Sequence, residues 1–158
     1  MEKILLFDRK EIPQQSIDSV SVVRSNFGNR QMSLTAPRVV VLDKPEKMTI
    51  FPTGFQMHIF NSEDNTIVAD ISADSATSLD VRKIIKAHRN VVIIDYRSGD
   101  TTYLDSIIWE SATHRLFSHA PVKSVNGQRV TYGDGFESDD DFVSPQIYHQ
   151  RGTLTIDD

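Results

Sequence analysis

The stretch YGDGFESDDDF (132–142) sets five carboxylates and two glycines in one short run, a composition that could wrap a hard cation. A calcium loop of the EF-hand type needs Asp-x-[Asp/Asn]-x-[Asp/Asn]-Gly and a Glu six residues further on. Here Gly133 and Gly135 precede most of the acids, and no Glu follows Asp141 to close a coordination sphere. The better reading is a surface turn: the glycines let the chain reverse, Phe136 points inward, and Glu137 to Asp141 form a solvated loop. The histidines offer no more. His114 and His119 are five apart, wrong for two zinc ligands on one helix face, and His88 and His119 stand just before extended runs, as turn or cap residues do. No H-E-x-x-H, G-x-S-x-G, P-loop or complete G-x-G-x-x-G occurs. Asp140 and Asp141 are adjacent and would point apart in an extended chain. The expectation is a non-enzymatic protein with no metal and no cofactor.

The bulk composition narrows the class further. A length of 158 residues suits one domain able to bury a core or line a long groove. The net charge of −5, with Lys and Arg scattered, argues against sequence-independent nucleic-acid binding, which needs a basic face. With no cysteine there is no disulfide framework or thiol nucleophile. The apolar run Ile4 to Phe7 is too short to span a bilayer or to form the core of an export signal. The protein is therefore expected to be cytosolic, or to be a chain cut just after its export signal.

The elements that would position any site are strands. Apolar and polar residues alternate over short runs such as Phe55-Gln56-Met57-His58-Ile59, separated by turn signals such as Asp43-Lys44-Pro45, Ser98-Gly99-Asp100 and Asn126-Gly127. Shifted by 31 residues, DSATSLDVRKIIKAHRNVV (74–92) lies over DSIIWESATHRLFSHAPVK (105–123) without a gap. Asp74-Ser75 falls on Asp105-Ser106, Ile85 on Leu116, His88 on His119 and Val91 on Val122. LTAPRVVV (34–41) with TIFPTGFQMHI (49–59) forms a looser copy, and a shortened fourth begins at Val130. Within a unit, two turn-like residues between alternating segments switch the inward set, as a bulge does. Leu104 can then share a face with Ile107 and Trp109, and Ala73 with Ala76. Each unit is a bent hairpin unable to bury its own apolar face, so stacking is required.

The predicted inward face is Leu34, Val39, Val41, Phe51, Phe55, Met57, Ile59, Ile71, Ala73, Ile85, Val91, Ile93, Leu104, Ile107, Trp109, Leu116, Val122 and Phe136. A closed core is the commoner meaning of such a stripe. The small inward residues Ala36, Ala73, Ala76 and Ala87 leave room for a groove instead. With about 0.8 kcal/mol per buried methylene, such a groove could hold acyl chains without a charged contact.

From about Asn26 to Ile156 the chain resembles the LptC family of lipopolysaccharide export system periplasmic proteins, in its Bacteroidetes form. The residues that carry the resemblance are LDSIIWE (104–110), Ser118-x-x-Pro121-Val122, GDGFESDDDF (133–142) and RGTLTI (151–156). The resemblance implies an all-β, bent, open β-jellyroll of stacked antiparallel hairpins over 21–158, after a linker (1–20) from a removed membrane anchor. It implies a periplasmic protein anchored to the inner membrane, with its apolar face as a lipid groove. Lipopolysaccharide would arrive from the inner-membrane ABC transporter, whose LptF/LptG-type subunits would meet the N-terminal edge near Ser21 to Asn26. It would leave to an LptA-like bridge protein at the C-terminal edge, Gln146 to Ile156, through Ile147, His149, Arg151, Gly152 and Leu154. Gly152 would allow close backbone approach there, or mark a bulge. The chain departs from the family in lacking the expected anchor and the aromatic at the position of Ser78. The alternative is a non-catalytic β-solenoid interaction module or a carbohydrate-binding adhesion module. A carbohydrate binder should carry outward aromatics, whereas the only Trp, Trp109, is predicted inward.

Overall fold

In the computed structural model, residues 14–26, 29–43, 46–61, 63–150 and 152–155 are described, and they form an all-β protein. The strands are β1 (Gln14–Asn26), β2 (Asn29–Leu42), β3 (Met48–Phe51), β4 (Phe55–Phe60), β5 (Ile67–Ala73), β6 (Ser75–Leu79) and β7 (Ile84–Asp95). There follow β8 (Thr101–Glu110), β9 (Arg115–Ser118), β10 (Val122–Asn126), β11 (Arg129–Gly133), β12 (Gly135–Asp139), β13 (Gln146–Tyr148) and β14 (Gly152–Thr155). Every pairing is antiparallel, and together they make one hydrogen-bonded sheet.

The long strands explain the shape. The first half of β7 pairs with β6 and with Ser106–Glu110 of β8, while Val92–Asp95 pair with β5 and Val91–Ile94 with Thr101–Leu104. β2 likewise pairs with β3 through Val40–Leu42 and with β4 through Met32–Thr35. The sheet is thus creased into two leaves that share β1, β2, β7 and β8. Leaf A continues through β3, β6, β9, β12 and β13, and leaf B through β4, β5, β10, β11 and β14. This is the bent, stacked-hairpin architecture expected from the repeat, folded like a jellyroll.

The crease is written in backbone conformation. It passes Ser19 (φ 57) in β1, Pro37 in β2, Gly54 (φ 106) before β4 and Asp74 between β5 and β6. It continues through Arg89 and Asn90 (φ 66 and 52) in β7, Asp105 in β8, Asp134 between β11 and β12, and His149 (φ 52) after β13. In β7 the register jumps from His88↔Ser106 to Val91↔Leu104, so Arg89 and Asn90 bulge opposite the single Asp105. The Asp74 N–H bonds the Arg89 carbonyl at 2.9 Å, and the Asn90 amide bonds the Asp74 carboxylate at 2.8 Å. The bulge flips the inward set, which is how Leu104 joins Ile107 and Trp109, and Ala73 joins Ala76, in one buried interior. Residues 14–20, expected as linker, lie in β1.

Candidate functional site

The predicted inward residues are brought together between the leaves. Seventeen of the eighteen are buried, and Ile85 is half-buried against the same cluster. Ala36, Ala73, Ala76 and Ala87 are buried there too, and Trp109 is only 6% exposed. In the chain by itself these side chains cover one another, so they form a packed core. Any ligand between the leaves would have to displace protein contacts.

Register gives the interior its chemistry. Across leaf B one row runs Leu34–Met57–Ile71–Ile93 and then changes to Thr102–Ser124–Thr131, continued in register by Thr153. Thr102 and Ser124 are 4% and 6% exposed and share a hydrogen bond of 3.2 Å. A cleft of about 590 Å³ opens beside this polar half, between leaf B and the segment around β13, lined by Phe136, Phe142 and Ile147 on its apolar side. At its rim Asp95 accepts the N–H groups of Arg97 (2.9 Å) and Ser98 (3.2 Å), and Asn126 donates to Asp100 at 2.8 Å. An aliphatic and aromatic lining throughout was the expectation from the sequence, and these hydroxyls depart from it. Alternation was a sufficient signal: two residues from Leu104 is Thr102, and two from Val122 is Ser124.

The acidic stretch needs a correction. Glu137 to Asp139 are in β12, with Ser138 buried, so the solvated loop does not begin at Glu137. The loop begins after Asp139, and at 1% exposure its Phe142 is among the most buried side chains of the molecule. The acids arrange this insertion. Asp139 accepts the N–H groups of Val143 (3.0 Å) and Ser144 (3.2 Å) on its carboxylate, and that of Phe142 (3.1 Å) on its carbonyl. Asp140 accepts the Trp109 indole N–H at 3.3 Å and lies 3.0 Å from His114 Nδ1. Asp141 stays outside. Partial desolvation, then the neighbouring Asp140 and Asp139, hold its carboxyl above the usual range, and Arg97 opposes them. Phe142 carries φ 56 in a non-periodic segment, so no pattern in the sequence announced it.

Two polar clusters lie on the outer faces. On leaf B, His58 Nδ1 is hydrogen-bonded to Asp70, which also accepts the Tyr96 hydroxyl at 2.5 Å. That bond raises the Tyr96 phenol above its ordinary value, the reverse of what a phenolate nucleophile needs. On leaf A, Arg115 donates to Glu137 at 3.0 Å, lies over the Phe117 ring at 4.7 Å, and Tyr148 donates to Glu137 at 3.1 Å. Among the described residues no group of three or more His, Asp and Glu could hold a metal. His88 and His119 are exposed at the crease.

At the C-terminal edge, Ile147 turns toward the core rather than outward, His149 is exposed with φ 52, and Arg151 lies outside the described residues. Gly152 faces Tyr132 and Leu154 faces Val130 in unbroken register. A close approach is seen at Gly133, where a Cβ would fall 2.3 Å from Ile147 Cγ2 and 2.7 Å from the Tyr148 carbonyl. Outward aromatics are present: Tyr103 and Tyr132, 44% and 38% exposed, flank Lys123 across leaf B.

No protein-family model and no curated protein matches the chain. A solved structure is similar to it: LptH, the LptA-homologous periplasmic component of the lipopolysaccharide transport device of Pseudomonas aeruginosa. The similarity covers 66% of this chain and 80% of that one, at 11% identity and a TM-score of 0.41.

Proposed function

We propose that this protein is a non-enzymatic, periplasmic component of lipopolysaccharide transport, an LptC-like relay that shields acyl chains between its two leaves. The observation that carries the reading is the large apolar cluster between leaves joined along one crease, with hairpin tips along the opposite side. The motifs that resemble LptC supply the cargo, the transporter as donor and an LptA-like bridge protein as acceptor. A lining of aliphatic and aromatic groups suits a relay, because it binds chains by area and fixes no single position. Among the described strands β1 pairs only with β2, so its end of the sheet is where the transporter subunits would dock, and β13 and β14 would meet the bridge protein at the other. A tether to the inner membrane would hold the relay beside its donor.

The test is photo-crosslinking with p-benzoylphenylalanine at Phe142 and at Ile85, against Tyr103 on the outer face, in energised membranes that hold the transporter. Lipopolysaccharide adducts at the two inner positions alone are expected. Equal labelling at Tyr103, or none at either inner position in folded protein, would end the relay reading. The alternative, a carbohydrate-binding adhesion module, draws on Tyr103 and Tyr132 and requires adducts at the outer face.

A further inference from the structure

We propose that the cleft beside Thr102, Ser124 and Thr131 is a binding site for a neutral saccharide. It deepens the relay reading and rests on it for the molecule that would bring the sugar.

A row of hydroxyls is a costly way to finish a core that begins Leu34–Met57–Ile71–Ile93, because buried polar groups lose water without full compensation. Thr102 and Ser124 have two donors and four acceptor lone pairs between them, and their mutual bond uses one of each. Both residues line the cleft, and Thr131, in register beside Ser124 and also lining it, has no side-chain hydrogen bond to the described residues. The volume of about 590 Å³ lies within the roughly 300–1,000 Å³ of small-molecule sites.

The lining also selects among polar ligands. The cleft is lined by two carboxylates, Asp95 and Asp100, and by the guanidinium-bearing Arg129, so a highly charged anion is disfavoured. Sugar hydroxyls both donate and accept, and so can satisfy carboxylate, amide, hydroxyl and guanidinium together. Phe136 and Phe142, though only 3% and 1% exposed, also line the cleft and supply the apolar surface that the C–H face of a pyranose would need.

The experiment is NMR titration of the purified chain with maltose, N,N′-diacetylchitobiose, sodium dodecanoate and inorganic phosphate in separate arms. A disaccharide is expected to shift the signals of Thr102, Ser124 and Thr131. The double variant Thr102→Val with Ser124→Ala removes both partners of one hydrogen bond, a change that is close to neutral for folding. It should weaken the disaccharide at least tenfold and leave dodecanoate unaffected. Arg129→Met at the exposed rim provides a second variant with the same expected direction. Dodecanoate shifts without disaccharide shifts would overturn the saccharide site and leave the lipid reading standing. Phosphate shifts without disaccharide shifts would overturn it as well. Disaccharide shifts without any dodecanoate effect would keep the site and remove the acyl-chain reading.

Discussion

Gly133 shows how one missing side chain sets the C-terminal end of the sheet. β11 meets the β13 end here, and the Tyr148 carbonyl that would crowd a Cβ also accepts the Asp134 N–H at 2.8 Å. Gly133→Ala must therefore push Ile147 and β13 outward, at an expected cost of about 1–3 kcal/mol. Hydrogen exchange should rise at Gln146–Tyr148 while β7 stays protected; unchanged exchange there would show that the end of the sheet absorbs the methyl. Asp80 gives a pH-dependent counterpart. Burial holds its carboxyl above the usual range, against hydrogen bonds from Ser78 (3.1 Å) and Thr49 (3.3 Å). Folding then favours the protonated form, so the ionised group costs stability at neutral pH. The cost fades as pH falls through the raised value toward that of an ordinary carboxylate. Asp80→Asn is expected to raise Tm by roughly 1–3 °C at about pH 7 and by clearly less at about pH 4. A gain that persists in acid would assign the effect to packing.

At the scale of elements, the crease decides which residues become core. Arg89 and Asn90 hold left-handed backbone where only the inserted pair fits opposite Asp105. Asn tolerates that conformation and ties Asp74 to the bulge, whereas a β-branched residue does neither. Asn90→Val should cost about 2 kcal/mol in urea unfolding and Asn90→Gly well under 1 kcal/mol. Equal losses would mean that the side-chain bond to Asp74 matters more than the backbone conformation. This bend was legible in the sequence, because an offset of 31 residues laid Asp74 over Asp105 and both stand on the crease. The inward set followed from alternation on either side of it. Two things were hidden for different reasons. Thr102, Ser124 and Thr131 obey the same alternation, but a reading that tracks only apolar residues passes over them. Phe142 obeys no period, since its place is fixed by Asp139 capping the loop and by Asp140 tying it to Trp109. Asp139 and Asp140 thus position a hydrophobic side chain, a role that the composition of the acidic run alone does not separate from a solvated turn.

For the molecule as a whole, if the interior takes up acyl chains as proposed, the question is where a filled interior can admit one. The crease side is held by continuous strands, and parting the leaves there would break the ladders of β7 and β8. The opposite side is made of hairpin tips, and the loop after β12 reaches across it. Asp141 and Val143 from leaf A share a small cleft with Asn61, Glu63 and Arg97 from leaf B. Phe142, between them in sequence, fills the space beneath. Acyl chains that enter from this side would replace Phe142 before any strand residue, exchanging one apolar contact for another at little net cost. Phe142→Ala is therefore expected to lower stability by about 3–5 kcal/mol, as for a buried aromatic, and yet to bind dodecanoate more tightly and faster than the parent chain. Phe136→Ala, within β12, should lose similar stability without the gain in association rate. If both variants lose stability and neither gains dodecanoate, Phe142 is ordinary core, and entry must be sought at the ends of the sheet.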